Sequence, residues 1–171
     1  MKRDLTIVTG APGSGKTTTL NALLEMGSDF LAFDIDWLAD TAGRLAGKSI
    51  SSDSSTWEPY GALWFEVLHS IYRNAKQPVF FTPNSPADIE SIGKPHWCGD
   101  IRWLLLDCDD PTRKKRLDER SDWSAERKAE ALEDATELRE SVKVRIDTGA
   151  FSPSEVASKV LLFAKDTAGS S

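Results

Sequence analysis

The chain has 171 residues, of which 40% are apolar and 28% are charged, and this fits one ordinary globular domain rather than a disordered or collagen-like chain. Its 21 basic and 27 acidic residues give a net charge of −6, so we expect no general nucleic-acid binding. Cys98 and Cys108 lack metal-ligand spacing and are expected to be reduced. No apolar stretch is long enough to span a membrane, and we expect a soluble, cytoplasmic protein.

The first predicted elements are a strand, a glycine-rich loop and a helix. Residues 5–9 form a short β-branched apolar run, and leucines at helical spacing follow the glycine-rich segment. Gly27 ends this helix. A second short strand is predicted over residues 30–33, and an acidic segment follows it directly.

A polar, serine-rich stretch at about 47–56 follows the acidic segment. It has neither helical nor strand periodicity, and we interpret it as a mobile loop on the acceptor side of the domain. Ser55 and Glu58 have the spacing of a capping box, which predicts the start of a long helix. Apolar residues at helical spacing extend this helix to about Lys76.

Strands and helices alternate through the rest of the chain. Continuous apolar runs predict strands at residues 78–82 and 101–106, and residues 142–147 are interpreted as a fifth strand. Three further helix starts pair a capping residue with proline, at Ser85-Pro86, Asp110-Pro111 and Ser152-Pro153. This alternation predicts a three-layer α/β domain around a central parallel sheet.

The glycine-rich segment carries the most specific motif in the sequence. It matches the phosphate-binding P-loop pattern at every required position, as Gly10-Ala11-Pro12-Gly13-Ser14-Gly15-Lys16-Thr17. Backbone N–H groups of such a loop surround the β-phosphate of a nucleotide. Lys16 is expected to reach the β- and γ-phosphates, Thr17 to hold Mg²⁺, and Thr18 to contact the α-phosphate. The motif therefore predicts ATP and Mg²⁺ as ligands.

Four segments, taken in order, resemble the small-molecule kinases of the nucleoside-monophosphate-kinase-like P-loop group. They are the P-loop, Asp-Ile-Asp-Trp-Leu at 34–38, the basic run at 106–120 and the closing segment at 146–156. Gluconate kinases, chloramphenicol phosphotransferase and zeta toxins are similar members of that group. The resemblance implies one P-loop NTPase domain over residues 1–171 with a five-stranded sheet of order 2-3-1-4-5. It also implies ATP-dependent phosphorylation of an alcohol.

The resemblance implies a catalytic base directly after the second strand, where this chain has Asp36. Asp34 is the second candidate for contact with the acceptor hydroxyl. The carboxyl end of a parallel strand faces the ligand crevice, which agrees with either role. Alternatively, one of the two carboxylates caps the helix that begins at Trp37, or serves Mg²⁺.

Arg113, Arg116 and Arg120 have the spacing of one helix face. In the kinases that the chain resembles, arginines here belong to a lid over the phosphates, which corresponds to about 113–127. Arg116 and Arg120 are the candidates for the transferring phosphoryl group, Arg113 for nucleotide binding, and Arg127 is a weaker candidate. The alternative is a solvated helix with ion pairs between neighbouring side chains.

The third predicted strand departs from the pattern of this group. It ends in Thr82, Pro83 and Asn84, where an aspartate of the Walker B type is expected for Mg²⁺. Thr82 could bind only a metal-bound water. Asp107, at the end of the fourth strand, is the other candidate outer-shell ligand and could equally be structural.

Aromatic residues of the helix after the serine-rich loop could form the acceptor pocket. Trp57, Tyr60 and Trp64 are the candidates, because aromatic walls with few polar groups suit small-molecule sites. Core packing is the alternative, since aromatic side chains contribute large burial energies. Thr148 and Phe151 lie in a segment that resembles the adenine-side loop of the group.

Taken together, these features predict a kinase of a small hydroxylated molecule, such as a nucleoside, a sugar acid or an antibiotic. A nucleoside monophosphate kinase is one alternative, but its phosphate acceptor needs arginines, and residues 34–72 contain only Arg44. A nucleotide-binding switch with slow hydrolysis is another. ATP and the acceptor are the expected binding partners. We expect a monomer or a homodimer that does not associate with a membrane.

Overall fold

The computed structural model of the protein describes residues 2–166. Its strands are β1 (Arg3–Thr9), β2 (Phe30–Asp34), β3 (Gln77–Thr82), β4 (Cys98–Asp107) and β5 (Arg145–Asp147). Its α-helices are α1 (Lys16–Met26), α2 (Ala39–Ala46), α3 (Trp57–Arg73), α4 (Pro86–Ile92), α5 (Asp110–Asp118), α6 (Ala125–Ser141) and α7 (Pro153–Lys165). Short 3₁₀ turns precede α2 at Ile35–Leu38 and α3 at Ser54–Thr56.

The five strands form one parallel sheet in the order β2-β3-β1-β4-β5, which confirms the predicted fold class and strand order. Since every strand is parallel, all five carboxyl ends meet at one edge. β1 lies in the centre between β3 and β4, and the chain crosses from one side of it to the other after β3. Such a switch of direction opens a ligand crevice at the carboxyl edge.

Helices cover both faces of the sheet. α1 and α7 pack on one face, whereas α3, α4 and α6 pack on the other. Val8 of β1 belongs to the first core and its neighbour Ile7 to the second, because successive side chains of a strand point to opposite faces. This double coverage explains why the strands are continuously apolar. No helix in the described part of the chain is long and apolar enough to cross a membrane.

The last strand is shorter than the sequence analysis predicted. The prediction began it at residue 142, but pairing with β4 begins only at Arg145. Val142 is buried with Ala135 and Leu138, and its N–H group donates to the Leu138 carbonyl at 2.9 Å. The side chain therefore completes the packing of α6 instead of joining the sheet.

The capping box predicted between Ser55 and Glu58 is wrong. Asp53 accepts hydrogen bonds from the backbone N–H and the hydroxyl of Ser55, at 3.0 and 2.6 Å. These bonds support the 3₁₀ turn before α3, and Thr56 at the helix start makes no side-chain cap. The mobility of the 47–56 loop stays a prediction.

The three proline-marked helix starts are present. Ser85 and Ser152 form complete capping boxes with Asp88 and Glu155. The cap of α5 is Asp109 rather than the predicted Asp110, since its carboxylate accepts from the N–H group of Thr112 at 2.7 Å. This one-residue shift places proline at the second helical position.

Candidate functional site

The P-loop joins the central strand β1 to α1 at the carboxyl edge of the sheet. Gly10 lies so close to β4 that an added Cβ would be 2.6 Å from the Leu106 carbonyl oxygen, so a side chain does not fit. Gly13 and Gly15 have φ angles of +80° and +91°, which favour glycine. Ala11 is buried and Pro12 half-buried.

Lys16 begins α1 and folds back over the loop. Its ammonium donates to the carbonyl of Gly10 and lies 3.5 Å from that of Ala11. Burial lowers the pKa of Lys16 to about 8, against the opposing effect of the nearby Asp34 carboxylate. Thr17 and Thr18 follow it on the exposed first turn of the helix. The structure therefore brings together the lysine and hydroxyl groups that the motif predicts.

Arg113 lies beneath the P-loop and is completely buried. Its guanidinium donates to the Asp107 carboxylate at 2.6 Å and to the Pro12 carbonyl at 2.7 Å. Arg113 lines neither the cavity that contains Gly13 and Gly15 nor the cavity that contains Asp36. This placement differs from the expected contact with a nucleotide, because the buried Asp107 takes Arg113 as its cationic partner.

Asp107 has a second arginine partner that sequence reasoning missed. Arg139 of α6 donates to Asp107 through Nε at 2.7 Å, and also to Asp110 at 2.8 Å. Both oxygens of the Asp107 carboxylate thus lie in ion pairs. Nothing in the local sequence distinguishes Arg139, which stands in a charged helix 32 residues away. Of the two candidate outer-shell ligands of Mg²⁺, Asp107 therefore has the surroundings of a structural residue, because its carboxylate is paired with two arginines.

One cavity of about 380 Å³ lies on the side of the P-loop that faces α7. Its lining includes seven of the predicted nucleotide or phosphate contacts: Gly13, Gly15, Thr18, Arg116, Arg120, Thr148 and Phe151. The ammonium of Lys159 lies 4.3 Å from the centre of the Phe151 ring. We call this space the nucleotide-side cavity.

Arg116 and Thr148 connect the walls of the nucleotide-side cavity. Arg116 donates to the Gly13 carbonyl at 3.1 Å and to the hydroxyl and carbonyl oxygens of Thr148 at 2.9 and 3.0 Å. The Thr148 hydroxyl in turn lies 2.7 Å from the carbonyl of Ser14. The predicted adenine-side residue therefore also anchors the loop after β5 to the P-loop.

Arg120 and Arg127 flank one aromatic ring between α5 and α6. Their guanidinium carbons lie 5.0 and 4.3 Å from the centre of the Trp123 ring. Both arginines are exposed, and only Arg120 lines the nucleotide-side cavity. The cation–π contacts hold the positive charge of Arg120 near the P-loop.

The two aspartates after β2 have different surroundings. Asp34 caps the 3₁₀ turn by accepting from the N–H group of Asp36 at 2.9 Å. The Asp36 carboxylate makes no such cap and lines a second cavity. Burial and then the Asp34 charge raise the pKa of Asp36, and the nearby Lys16 ammonium opposes them. Of the two aspartates, Asp34 is therefore the capping residue, and Asp36 faces the cavity.

The second cavity, of about 490 Å³, lies beside Asp36 between α3, α4 and α6, and we call it the acceptor-side cavity. Trp57, Tyr60 and Trp64 all line it. The Trp64 indole donates to the Ile35 carbonyl at 2.9 Å, and the Tyr60 hydroxyl donates to the same oxygen. These two bonds position the segment that carries Asp36.

The aromatic residues of α3 were expected either to line a cavity or to pack in the core, and both expectations apply to them. Tyr60 and Trp64 are buried in the core that α3 forms against the sheet, yet they reach the cavity surface. Trp57 is 57% exposed, and its indole N–H is held by the Ile50 carbonyl at 2.9 Å.

The carboxyl end of β3 forms a polar network in place of a Walker B aspartate. The Thr82 hydroxyl donates to the side-chain oxygen of Asn84 at 2.7 Å, and the Thr9 hydroxyl donates to the Asn84 carbonyl at 2.8 Å. Asn84 also lines the acceptor-side cavity. In residues 2–166, no group of three or more His, Cys, Asp or Glu is placed to hold a metal ion.

Sequence reasoning missed four acidic residues of the acceptor-side cavity. They are Glu58, Asp88, Asp134 and Glu137. The spacing of residues 134 and 137 puts them on one helix face, which was the only local signal. A charged helix face is ordinarily solvated, so this signal alone does not indicate a cavity.

Comparisons with solved structures show the same fold in several kinases. A sugar kinase from Janibacter sp. HTCC2649 is 16% identical, with a TM-score of 0.64 over 97% of this chain and 96% of that one. A gluconokinase from Sinorhizobium meliloti 1021 is 18% identical, with a TM-score of 0.57 over 96% and 94%. The Deinococcus radiodurans tunicamycin resistance protein is 19% identical, with a TM-score of 0.66 over 94% and 95%.

No protein-family model and no curated protein sequence matches the chain. The similarity is therefore one of fold, and it extends over nearly the whole length of both chains in each comparison. It confirms the resemblance expected from the four sequence segments: the protein has the fold of the P-loop small-molecule kinases.

Proposed function

We propose that the protein is an ATP-dependent kinase that phosphorylates a hydroxyl group of a small molecule. One observation carries the proposal: Asp36 lines a cavity of about 490 Å³ and interacts electrostatically with Lys16 of the P-loop. The nucleotide-side cavity lies on the other side of the loop. One cavity thus contains a carboxylate that interacts with the P-loop lysine, and the other is lined by Gly13 and Gly15 of the same loop, which suits direct transfer between bound molecules.

In the proposed reaction, the acceptor oxygen attacks the γ-phosphorus of ATP. A new P–O bond forms, the bond to the β-phosphate oxygen breaks, and ADP leaves with those electrons. Asp36 receives the proton of the acceptor hydroxyl as the new bond forms. The raised pKa of Asp36, caused by burial and by Asp34, makes it a better proton acceptor than an ordinary aspartate.

The positive charges beside the P-loop stabilise the transferring group. Lys16 can turn from the P-loop carbonyls to the phosphates, and Arg116 and Arg120 line the nucleotide-side cavity. Arg113 acts as a positioning residue because its hydrogen bonds hold the backbone of the loop. Since Arg113 and Leu117 anchor α5 by complete burial, the lid motion is confined to the segment after them.

The donor set beside the P-loop fits Mg²⁺. Thr17 offers an exposed hydroxyl, and Asp34 and Asp36, which interact electrostatically with the adjacent Lys16, offer hard oxygen atoms. Thr17 would hold the ion, with the acidic pair or Thr82 acting through water. When bound, Mg²⁺ neutralises phosphate charge. Few protein ligands are needed, since Mg²⁺ in such sites keeps several waters and binds substrate phosphates.

The two alternative functions have less support. A monophosphate acceptor needs a cation in its cavity, but Arg44 lies on α2 outside the lining of the acceptor-side cavity. A nucleotide switch requires no acceptor cavity, whereas this one has about 490 Å³ beside the proposed base.

Acceptor-stimulated ADP release tests the proposed function directly. The purified protein is incubated with Mg-ATP and a panel of sugars, nucleosides and amino-bearing cyclitols. We expect at least one acceptor to stimulate ADP release, with the phosphorylated product visible by mass spectrometry. ADP release that no compound stimulates would favour the switch. Thermal shift with ATP and GTP tests the nucleotide, and we expect stabilisation by ATP through the loop of Thr148 and Phe151.

A further inference from the structure

The acceptor-side cavity has an unusual charge for a sugar or nucleoside site. Five carboxylates line it, from the 3₁₀ turn after β2, α3, α4 and α6: Asp36, Glu58, Asp88, Asp134 and Glu137. Among the described residues that line the cavity, none is a lysine, an arginine or a histidine. These acidic residues are exposed, and they come to the cavity from several elements rather than from one helix face.

Among these carboxylates, Asp88 and Glu137 act on Asp134 with like charge. Burial raises the pKa of Asp134, and the charges of Glu137, Glu130, Glu133 and Asp88 raise it further. The effect of Asp88 acts from α4, which shows that acidic groups of two helices face each other. A ligand that brings positive charge into this space relieves the repulsion.

The nearest basic side chains of the serine-rich loop and α2 are not available to the cavity. Lys48 donates to the Ser55 hydroxyl at 2.8 Å and pairs with Asp53 at 3.6 Å. Arg44 borders a separate depression on α2. Lys16 remains at the P-loop, where its charge is needed for phosphate. An anionic acceptor would thus enter the cavity without a counter-charge of its own.

The aromatic wall is a second, independent feature that favours a cation. Trp57 lines the cavity and is 57% exposed, and the hydrogen bond to the Ile50 carbonyl holds its indole in place. Tryptophan faces attract ammonium and guanidinium groups, and they also stack on the apolar faces of rings. An acidic rim and a fixed tryptophan together suit a ring compound that carries amino groups.

We infer that the acceptor is a hydroxylated ring compound bearing one or more protonated amines, of the amino-sugar or aminocyclitol class. The inference rests on the proposed function, because the hydroxyl to be phosphorylated would lie at Asp36. The amines would bind Asp88, Asp134 and Glu137 at the opposite side of the cavity. Sugar acids and phosphorylated acceptors are excluded by charge, which narrows the range of small hydroxylated acceptors considerably.

Calorimetric titration without nucleotide tests the charge preference separately from catalysis. Two matched series serve as probes: glucosamine, glucose and glucuronate, and streptamine, inositol and inositol phosphate. We expect a cationic probe to bind at least about 10-fold more tightly than its neutral partner, and the anionic probes not to bind. Tighter binding of an anionic or neutral probe, or no binding of either cationic probe, overturns the inference.

Variants locate the bound amine. The double variant Asp134→Asn/Glu137→Gln should weaken binding of the cationic probe by about 10-fold. Glu126→Gln/Glu140→Gln is the matched control, because it removes the same charge from α6 at positions that neither line the cavity nor act on Asp134. Glu58→Gln gives a second test on another helix. Equal affinities in the acidic variants and the control overturn the inference.

ADP release in the presence of the bound cationic probe then separates the two hypotheses. Charge-selective binding without transfer would contradict the proposed kinase and leave the cationic ligand established. Transfer to a neutral or anionic acceptor alone would support the kinase and overturn the charge inference.

Discussion

Asp107 and Arg113 form a buried ion pair of 2.6 Å directly beneath the P-loop. Arg113 has no exposed side-chain surface, and its remaining hydrogen bonds go to the carbonyls of Ala11 and Pro12. The pair thus links the end of β4 to the phosphate-binding backbone. Arg139 completes it from α6. This arrangement supports the P-loop rigidly. It includes neither Lys16 nor the threonine hydroxyls that follow it in the motif.

We expect Asp107→Asn to destabilise the protein by about 3–5 kcal/mol, because it leaves the buried Arg113 charge without its partner. The melting temperature should fall by on the order of 10 °C. Urea denaturation measures the free energy of unfolding. Asp118→Asn is the control, since its pair with Lys128 is exposed and contributes less than about 1 kcal/mol. An unchanged midpoint with lost Mg²⁺ stimulation would instead make Asp107 a metal ligand.

Lys16→Ala should reduce acceptor-dependent turnover by at least about 100-fold, because the variant lacks the charge that stabilises the transferring phosphoryl group. The fold should remain, since Lys16 bonds only to two carbonyls of its own loop. Steady-state kinetics and circular dichroism measure the two properties. Lys115→Ala, at an exposed position on α5, should behave as the wild type. Wild-type turnover of Lys16→Ala would disprove catalysis at the P-loop.

Asp36→Asn should lower acceptor-dependent turnover by about 100- to 10,000-fold while ATP binding is retained, because the amide cannot accept the proton. Single-turnover kinetics and nucleotide titration measure the two effects. Asp40→Asn, on the exposed side of α2, provides the control for the loss of one charge. If the Asp36 variant matches the wild type on an identified acceptor, the base role passes to Asp34 or disappears.

Asp134→Asn should stabilise the protein at neutral pH. Burial and the neighbouring acidic groups raise the pKa of Asp134, so the folded protein binds its proton more tightly than the unfolded chain does. Its ionisation therefore costs stability above the folded pKa, and this cost vanishes as the pH falls below the unfolded value. Water screens the partly exposed group, so the expected rise in melting temperature is at most about 2 °C.

Melting curves of Asp134→Asn and wild type from pH 3 to pH 8 check this sign. The difference in melting temperature should be positive at neutral pH and shrink toward zero in acid. Asp122→Asn, at an exposed position between α5 and α6, should show no comparable trend. A difference that grows in acid would mean that Asp134 is stabilised as a carboxylate.

Local chemistry made much of the fold predictable. Apolar runs and helix caps depend on neighbouring residues, so the parallel α/β class and the caps at Ser85 and Ser152 agree with the structure. The strand order was expected from the family resemblance alone, and the structure confirms it. The errors occurred where two local signals competed. Val142 could extend a strand or complete α6, and Ser55 could cap α3 or bind Asp53. Tertiary packing decided both cases.

The sequence by itself determined the phosphate-binding loop and the acidic segment after β2. The P-loop needs only consecutive residues, and Asp36 needs only its place at the end of a strand. The family resemblance placed Asp36 before Asp34, and the structure decided that Asp34 is the capping residue, with a hydrogen bond of 2.9 Å. Local sequence signals indicate the P-loop and the acidic segment because consecutive residues set the geometry of both.

Only the tertiary structure decided which distant charges meet. Asp107 meets Arg139 across 32 residues of sequence, and α3, α4 and α6 bring separate acidic residues to one cavity. A lone charge on an amphipathic helix has the same sequence pattern whether it faces water, an ion pair or a ligand. Its role depends on the dielectric and the partners that folding places around it, because these set the free energy of the charged form.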